Sequence, residues 1–322
     1  MIRMVGFPPP VSKPYHNWAG GMAAHGDEYF TCDDLNDPLV RGCDAFYQTN
    51  ELKPKFMQEA RMDVHGKYMI HILESKRPFI VSESAPFRHH PEYLRFGWWS
   101  YKWDLGDFNN KNVTRDRWEK FAEATGTEFK PWREREDGPI VIMGQKEGDS
   151  SLRRIYNAGY ESFYDWVYDQ VVIIRKYTDR DIIIRPHPRN LDRGVKQSQR
   201  RVLFKLQAAD IDTTSIRISE NLTTGGNQGG EGLQADLESA YCVVTYNSLS
   251  SIEAVMEGVP VFALDGGSMA HPVAHHDLND INDLRYDIDL TEWQNKIAYT
   301  MWNKDEVSSG ECWAHLKPAY FK

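Results

Sequence analysis

The sequence predicts an α/β protein built from two domains, each around a largely parallel sheet. Three observations carry this. Short apolar runs of strand length recur along the 322 residues, each closed by glycine, proline or hydroxyl residues, with helix-spaced segments between them. Residues 241–264 (YCVVTYNSLSSIEAVMEGVPVFAL) read as strand, hydroxyl-rich loop, short helix and strand, which is one βαβ unit of a parallel sheet. The charged, proline-broken stretch 129–138 (FKPWREREDG) separates an earlier set of runs from a later one and places a boundary after residue 132.

Bulk properties narrow the class. Hydrophobic residues make up 41% and charged residues 26%, ordinary values for a globular protein with sizeable cores. The net charge of -9 argues against a surface that is basic all over, while leaving room for a local basic groove. No apolar run approaches the roughly 20 residues that span a bilayer. The start, MIRMVGFPPP, is too short in apolar residues and too rich in proline for a signal peptide. Cys32, Cys43, Cys242 and Cys312 show no metal spacing and read as reduced thiols of a cytoplasmic protein.

In the first half, residues 2–7 form a strand, and prolines 8, 9, 10 and 14 enforce an extended loop. Residues 18–28 (WAGGMAAHGDE) form a glycine loop that is either a plain turn or a close approach to a ligand, with His25 and Asp27 as its polar groups. Residues 43–48 form a second strand, 58–76 a helix, and 78–81 a third strand ending in Ser82-Glu83-Ser84. A carboxylate at a strand's end is where a general base would stand, and Glu83 reads equally as a cap or an ion-pair partner. Residues 87–103 (FRHHPEYLRFGWWSYKW) interleave aromatics with cations. Trp98 and Trp99 are candidates to stack on a sugar or base, and Arg88 and Arg95 to contact phosphate; a packed core is the alternative. A helix over 114–124 completes this half.

In the second half, a strand over 139–143 leads to Gly144-Gln145 and to the turn 148–151, so Gln145, Ser150 and Ser151 are candidate phosphate contacts. A helix over 161–177 feeds the strand 181–189 (DIIIRPHPR), whose end carries Arg185, His187 and Arg189. Ten basic residues against three acids over 175–205 add local positive charge beside it. A glycine-rich loop over 211–233 and a helix over 233–240 precede the next strand. Asn247, Ser248, Ser250 and Ser251 fall where that strand ends and a helix starts, and Glu253 lies in its first turn. His271, His275 and His276 in the loop DGGSMAHPVAHHDL do not have zinc spacing. A final aromatic helix covers 291–303.

A strand ending in RPHP, followed by NSLSSIEA and then GVP, resembles the nucleotide-binding half of GT-B glycosyltransferases, above all the capsule-polysaccharide and bacterial sialyltransferase types. The resemblance implies two Rossmann-like domains facing a cleft. Residues 1–132 would form the acceptor side and 133–305 the nucleotide-sugar side, with 306–322 packing back on the first domain. It implies a UDP- or CMP-type sugar donor held by the His-Pro and Ser-Ser motifs. Glu253 would accept from ribose hydroxyls, and His275 and His276 would stand near the transferred sugar. No metal and no tightly bound cofactor are expected. Glu83, Asp27 and His25 are the candidate catalytic groups. The resemblance leaves two acceptors, a capsule or surface glycan and a hydroxymethylated base in duplex DNA. The aromatic-basic run tips the reading towards DNA, as in phage DNA glycosyltransferases. A sugar-nucleotide epimerase or a non-catalytic nucleotide-binding module would share the pattern.

Overall fold

The computed structural model describes residues 1–8, 17–54, 64–187, 193–221 and 231–322. Strands are numbered along the chain: β1 (Arg3–Gly6), β2 (Glu28–Thr31), β3 (Ala45–Thr49), β4 (Phe79–Ser84), β5 (Tyr93–Trp98), β6 (Ile140–Met143), β7 (Ile182–Arg185), β8 (Ile216–Ile218), β9 (Cys242–Thr245), β10 (Val261–Ala263) and β11 (Met301–Asn303). They form two sheets in two compact units. One unit contains Met1–Pro86, His90–Thr125 and Thr291–Lys322; the other contains Phe87–His89 and Gly126–Leu290.

The first unit has a six-stranded sheet in the order β11-β5-β4-β3-β1-β2. Its β1, β2, β3 and β4 are parallel; at one edge β5 is added antiparallel to β4, and β11 antiparallel to β5. Alternation splits each strand between two cores. Tyr47, Ile80, Phe96 and Trp98 enter a core shared with Trp18, Trp302 and Trp313 on one face, while Val5, Phe46 and Val81 meet Phe7, Tyr68 and Tyr101 on the other. The second unit has a five-stranded, wholly parallel sheet in the order β10-β9-β6-β7-β8. β6, β7, β9 and β10 are buried throughout, because helices cover both faces of such a sheet and make its strands apolar end to end. Helix Phe163–Ile174 begins at a capping box between Ser162 and Asp165 and packs Phe163, Val167, Val171 and Ile174 into that core.

Four strands differ from the sequence reading. β5 lies inside the aromatic-basic run, and all six of its residues are buried, so the run is a strand with packed aromatics. β11 lies inside the expected final helix. That helix ends at Ala298, and the chain then extends to pair Met301 with Arg95 before Asn303 caps the helix Lys304–Ser309. β2 and β8 are short edge strands in segments with loop-like composition.

Candidate functional site

The sheet of the second unit changes its direction of winding between β6 and β9. β6 comes first in the chain yet lies between β7 and β9, so the connections leave its carboxyl end and that of β9 in opposite directions. The crevice beyond such a switch point is where open α/β sheets bind ligands. Gln145 follows β6 and Asn247 follows β9, and the two amides interlock. Gln145 Nε2 donates to Asn247 Oδ1 at 2.7 Å, and the Asn247 backbone N–H donates to Gln145 Oε1 at 3.0 Å. Asn247 Nδ2 donates to the Ser151 carbonyl and to Asp265 Oδ1, both at 3.0 Å, and Arg154 Nη1 pairs with Asp265 Oδ2 at 3.0 Å. Burial would raise the Asp265 carboxyl, but bonds from Asn247 and Arg154 outweigh it and hold it below its ordinary value. Three strand ends are thus tied into one rigid polar frame. Asp265 and Arg154 were missing from the sequence candidates, although Asp265 stands just past β10, where the strand-end rule points.

Within this frame the hydroxyls divide. Ser251 is buried and donates to the Ser248 carbonyl at 2.6 Å, so it shapes the turn. Ser248 and Ser250 are partly exposed, with hydroxyl oxygens 2.8 Å apart. Ser150 is buried, and Ser151 donates its backbone N–H to Asp149 at 3.0 Å. His187 is half-buried beyond β7, where a Cβ on Gly144 would come within 2.6 Å of the Arg185 carbonyl and 2.9 Å of the His187 nitrogen. Glycine is what lets the β6 and β7 ends approach this closely.

Glu253 is the outlying group. It is 3% exposed, and its Oε2 has no hydrogen-bond partner among the described residues. His89 Nε2 stands 3.9 Å from that oxygen. Burial pushes the Glu253 carboxyl above its ordinary value, against the opposing charges of His89, Arg88 and Arg185. His89 was not among the sequence candidates, since 164 positions separate it from Glu253 and no local pattern links them.

Other candidates sit in different surroundings. The Arg185 guanidinium is buried and committed internally, with Nη1 2.5 Å from Asp236 Oδ2 and 3.0 Å from the carbonyls of Asn221 and Gly232. Arg189 lies outside the described residues. His275 is buried with its ring 4.8 Å from Phe262, and its Nε2 accepts the Arg285 backbone N–H at 3.2 Å; burial, with Arg285 nearby, lowers its pKa. His276 is exposed, stacks on His271 at 3.7 Å, and donates to the His271 carbonyl at 2.7 Å.

The candidates of the first unit are placed as follows. Asp27 is buried and accepts from the Ile2 backbone N–H at 2.7 Å, from Trp313 Nε1 at 2.8 Å and from Lys317 Nζ at 2.7 Å. Its carboxylate is consumed by structure, which leaves it ill placed as a base. His25 is exposed and donates to the Gly310 carbonyl at 3.2 Å. Trp98 is fully buried, donates to the Leu316 carbonyl at 2.9 Å and packs on Trp313 and Tyr320, so it offers no surface for stacking. Arg95 is buried with its guanidinium 4.7 Å from the Tyr101 ring centroid. Trp99 keeps 36% exposure, with Phe79 and Tyr320 against it. Arg88 is half-buried in the Phe87–His89 segment of the second unit. Glu83 is half-buried and pairs in register with Arg95; its Oε1 accepts the Ser84 backbone N–H at 2.9 Å.

Among the described residues no group of three or more His, Cys, Asp or Glu is placed to hold a metal ion, and no helix is long and apolar enough to cross a membrane. The sequence matches no family profile and no curated protein. Among solved structures, the chain is similar to the β-Kdo 2,7 transferase of Thermosulfurimonas dismutans KpsC, with 12% identity, 92% of this chain and 89% of that one covered, and a TM-score of 0.50. The β-Kdo 2,4 transferase of the same KpsC is similar at 13% identity, 92% and 89% coverage and a TM-score of 0.48. Methanocaldococcus jannaschii UDP-GlcNAc 2-epimerase, solved with UDP-GlcNAc and UDP, is similar at 12% identity, 80% and 76% coverage and a TM-score of 0.32. At such identities the likeness is one of fold. Taken with the two sheets, it shows that the chain has the GT-B fold, with two Rossmann-like units.

Proposed function

We propose that the protein is a nucleotide-sugar-dependent glycosyltransferase whose donor binds the second unit at the carboxyl ends of β6, β7 and β9. The observation that carries this is the open Glu253 carboxylate one helical turn beyond the partly exposed Ser250. Burying an acid without a hydrogen bond is costly, and a ligand that donates hydroxyl groups to it repays the cost. In this reading Ser248, Ser250 and His187 face the phosphates, and Glu253 accepts from ribose. Gln145, Asn247 and Asp265 hold the strand ends in place. Stabilising the departing phosphate is the main catalytic need, and preorganised donors supply it. Residues 1–132 serve the acceptor, with Glu83 as the base. It is half-buried and has the exposure that Asp27 lacks.

The acceptor we propose is a glycan hydroxyl. The DNA reading rested on an aromatic-basic surface, and the burial of Trp98 and Arg95 takes away much of that surface. The test is incubation with labelled UDP- and CMP-sugars, offering oligosaccharides, hydroxymethylated duplex and unmodified duplex in parallel. Label on an oligosaccharide is the expected result. Label on the hydroxymethylated duplex alone would restore DNA as acceptor. Epimer formed without any acceptor would make the protein an epimerase. His187→Ala and Ser250→Ala should each weaken donor binding by about 1–3 kcal/mol, without unfolding, through loss of one phosphate contact.

A further inference from the structure

The segment Phe87–His89 joins β4 to β5, strands of the first unit, yet it belongs to the second. Buried Phe87 holds it there, edge-on to Phe129 with ring centroids 6.2 Å apart. His89, two residues on, reaches Glu253, with Nε2 3.9 Å from Oε2, which has no hydrogen-bond partner among the described residues. That distance is too long for a hydrogen bond and short enough for a strong interaction between charges. His89 keeps 43% side-chain exposure against 4% for Glu253, so the imidazole is open to solvent while the carboxylate is enclosed.

We propose that His89 is a positioning residue of the donor site: when protonated, its imidazole faces the open oxygen of Glu253, favours the charged carboxylate while the site is empty, and yields it to the hydroxyl groups of an incoming nucleotide. This rests on the donor-site reading above and adds a residue and a proton linkage to it. Among the described residues, the basic groups that bear on Glu253 are His89, Arg88 and Arg185. Arg88 lies beside His89 on the same segment, and Arg185 at the end of β7 is already paired with Asp236 at 2.5 Å. Of the three, His89 is the one that carries charge only when protonated, and it is open to solvent on one side. An ionised carboxylate accepts through both oxygens, whereas protonation turns one of them into a donor, and burial favours the protonated form. Nucleotide affinity should then fall as pH drops through the raised Glu253 titration, with His89 setting where the fall occurs.

The experiment is calorimetric titration of UDP and of CMP across pH for four proteins: wild type, His89→Gln, His89→Lys and Glu253→Gln. The nucleotide's own phosphate titration is common to all four and cancels in the comparison. Removing the nearby cation should move the acid limb of binding up by about one pH unit, which is roughly tenfold weaker binding at a pH on that limb. His89→Lys should bring the limb back towards wild type, and Glu253→Gln should bind weakly with no such limb. A His89→Gln limb that coincides with the wild-type one would overturn the proposal even if affinity changed, since a merely structural role shifts affinity at every pH alike. If neither nucleotide binds wild type at any pH, the donor-site reading fails. In that event the coupling is judged in the free protein from the carboxyl infrared band lost in Glu253→Gln. If that band titrates at the same pH in His89→Gln, His89 has no hold on Glu253.

Discussion

Among the described residues Asp27 accepts three side-chain or backbone donors and Glu253 Oε2 none, and the two acids respond to pH in opposite senses. Burial would raise the Asp27 carboxyl, but the bonds from Lys317, Trp313 and Ile2 prevail and lower it. Its contribution to stability is therefore complete above the unfolded carboxyl's titration and is lost as pH falls through the lower, folded value. Asp27→Asn should cost about 1–3 kcal/mol at neutral pH and flatten the acid side of the stability profile, as followed by urea unfolding across pH. Glu253 runs the other way. Its folded value is raised, so the native state binds its proton more tightly and stability declines as pH rises through that window. Glu253→Gln should raise the neutral-pH Tm, by roughly 2–4 °C for each 1 kcal/mol relieved, while weakening the donor site. Trp98 marks the limit of local reading. A Trp-Trp pair among cations has the same pattern whether it faces a base or a core, and only the partners Trp313 and Leu316, more than 200 positions away, decide for the core. Trp98→Ala should accordingly cost about 3–5 kcal/mol in folding stability, measurable by denaturation.

Elements of the second unit were the more legible ones. The runs IVIM, IIIR, CVVT and VFA are strands in the structure because a sheet buried on both faces demands unbroken apolar residues, and that demand is visible in sequence. The edge strands β2 and β8 carry no such constraint, and their exposed or half-buried positions look like loop. β5 and β11 were hidden for another reason: they pair antiparallel with each other, and neither carries a local strand signal. Arg185 shows how an element's end can mislead. Its place beyond an apolar run suggests a phosphate ligand, yet the helix Glu231–Ser239 brings Asp236 against it. Arg185→Ala should leave that buried aspartate without a counter-charge and cost roughly 3–5 kcal/mol, a loss of stability rather than of donor contacts. Denaturation of this variant with and without nucleotide separates the two effects.

Across the whole molecule, the first unit is discontinuous in sequence and the second nearly continuous. Thr291–Lys322 supplies β11 to the edge of the first sheet, and Trp302, Val307, Trp313 and Leu316 to one of its cores. A chain ending at Leu290 should therefore lose the first unit's melting transition in scanning calorimetry while keeping that of the second, whose core lies within residues 140–281. The same arrangement sets an order of events on the ribosome. Residues 126–290 emerge together and can fold as they appear, whereas the earlier strands must wait for a tail made after them, with Asp27 idle until Trp313 and Lys317 arrive. At typical elongation of about 5–20 residues per second, the nearly 290 residues between them mean tens of seconds in which the unfinished sheet is open to holding chaperones.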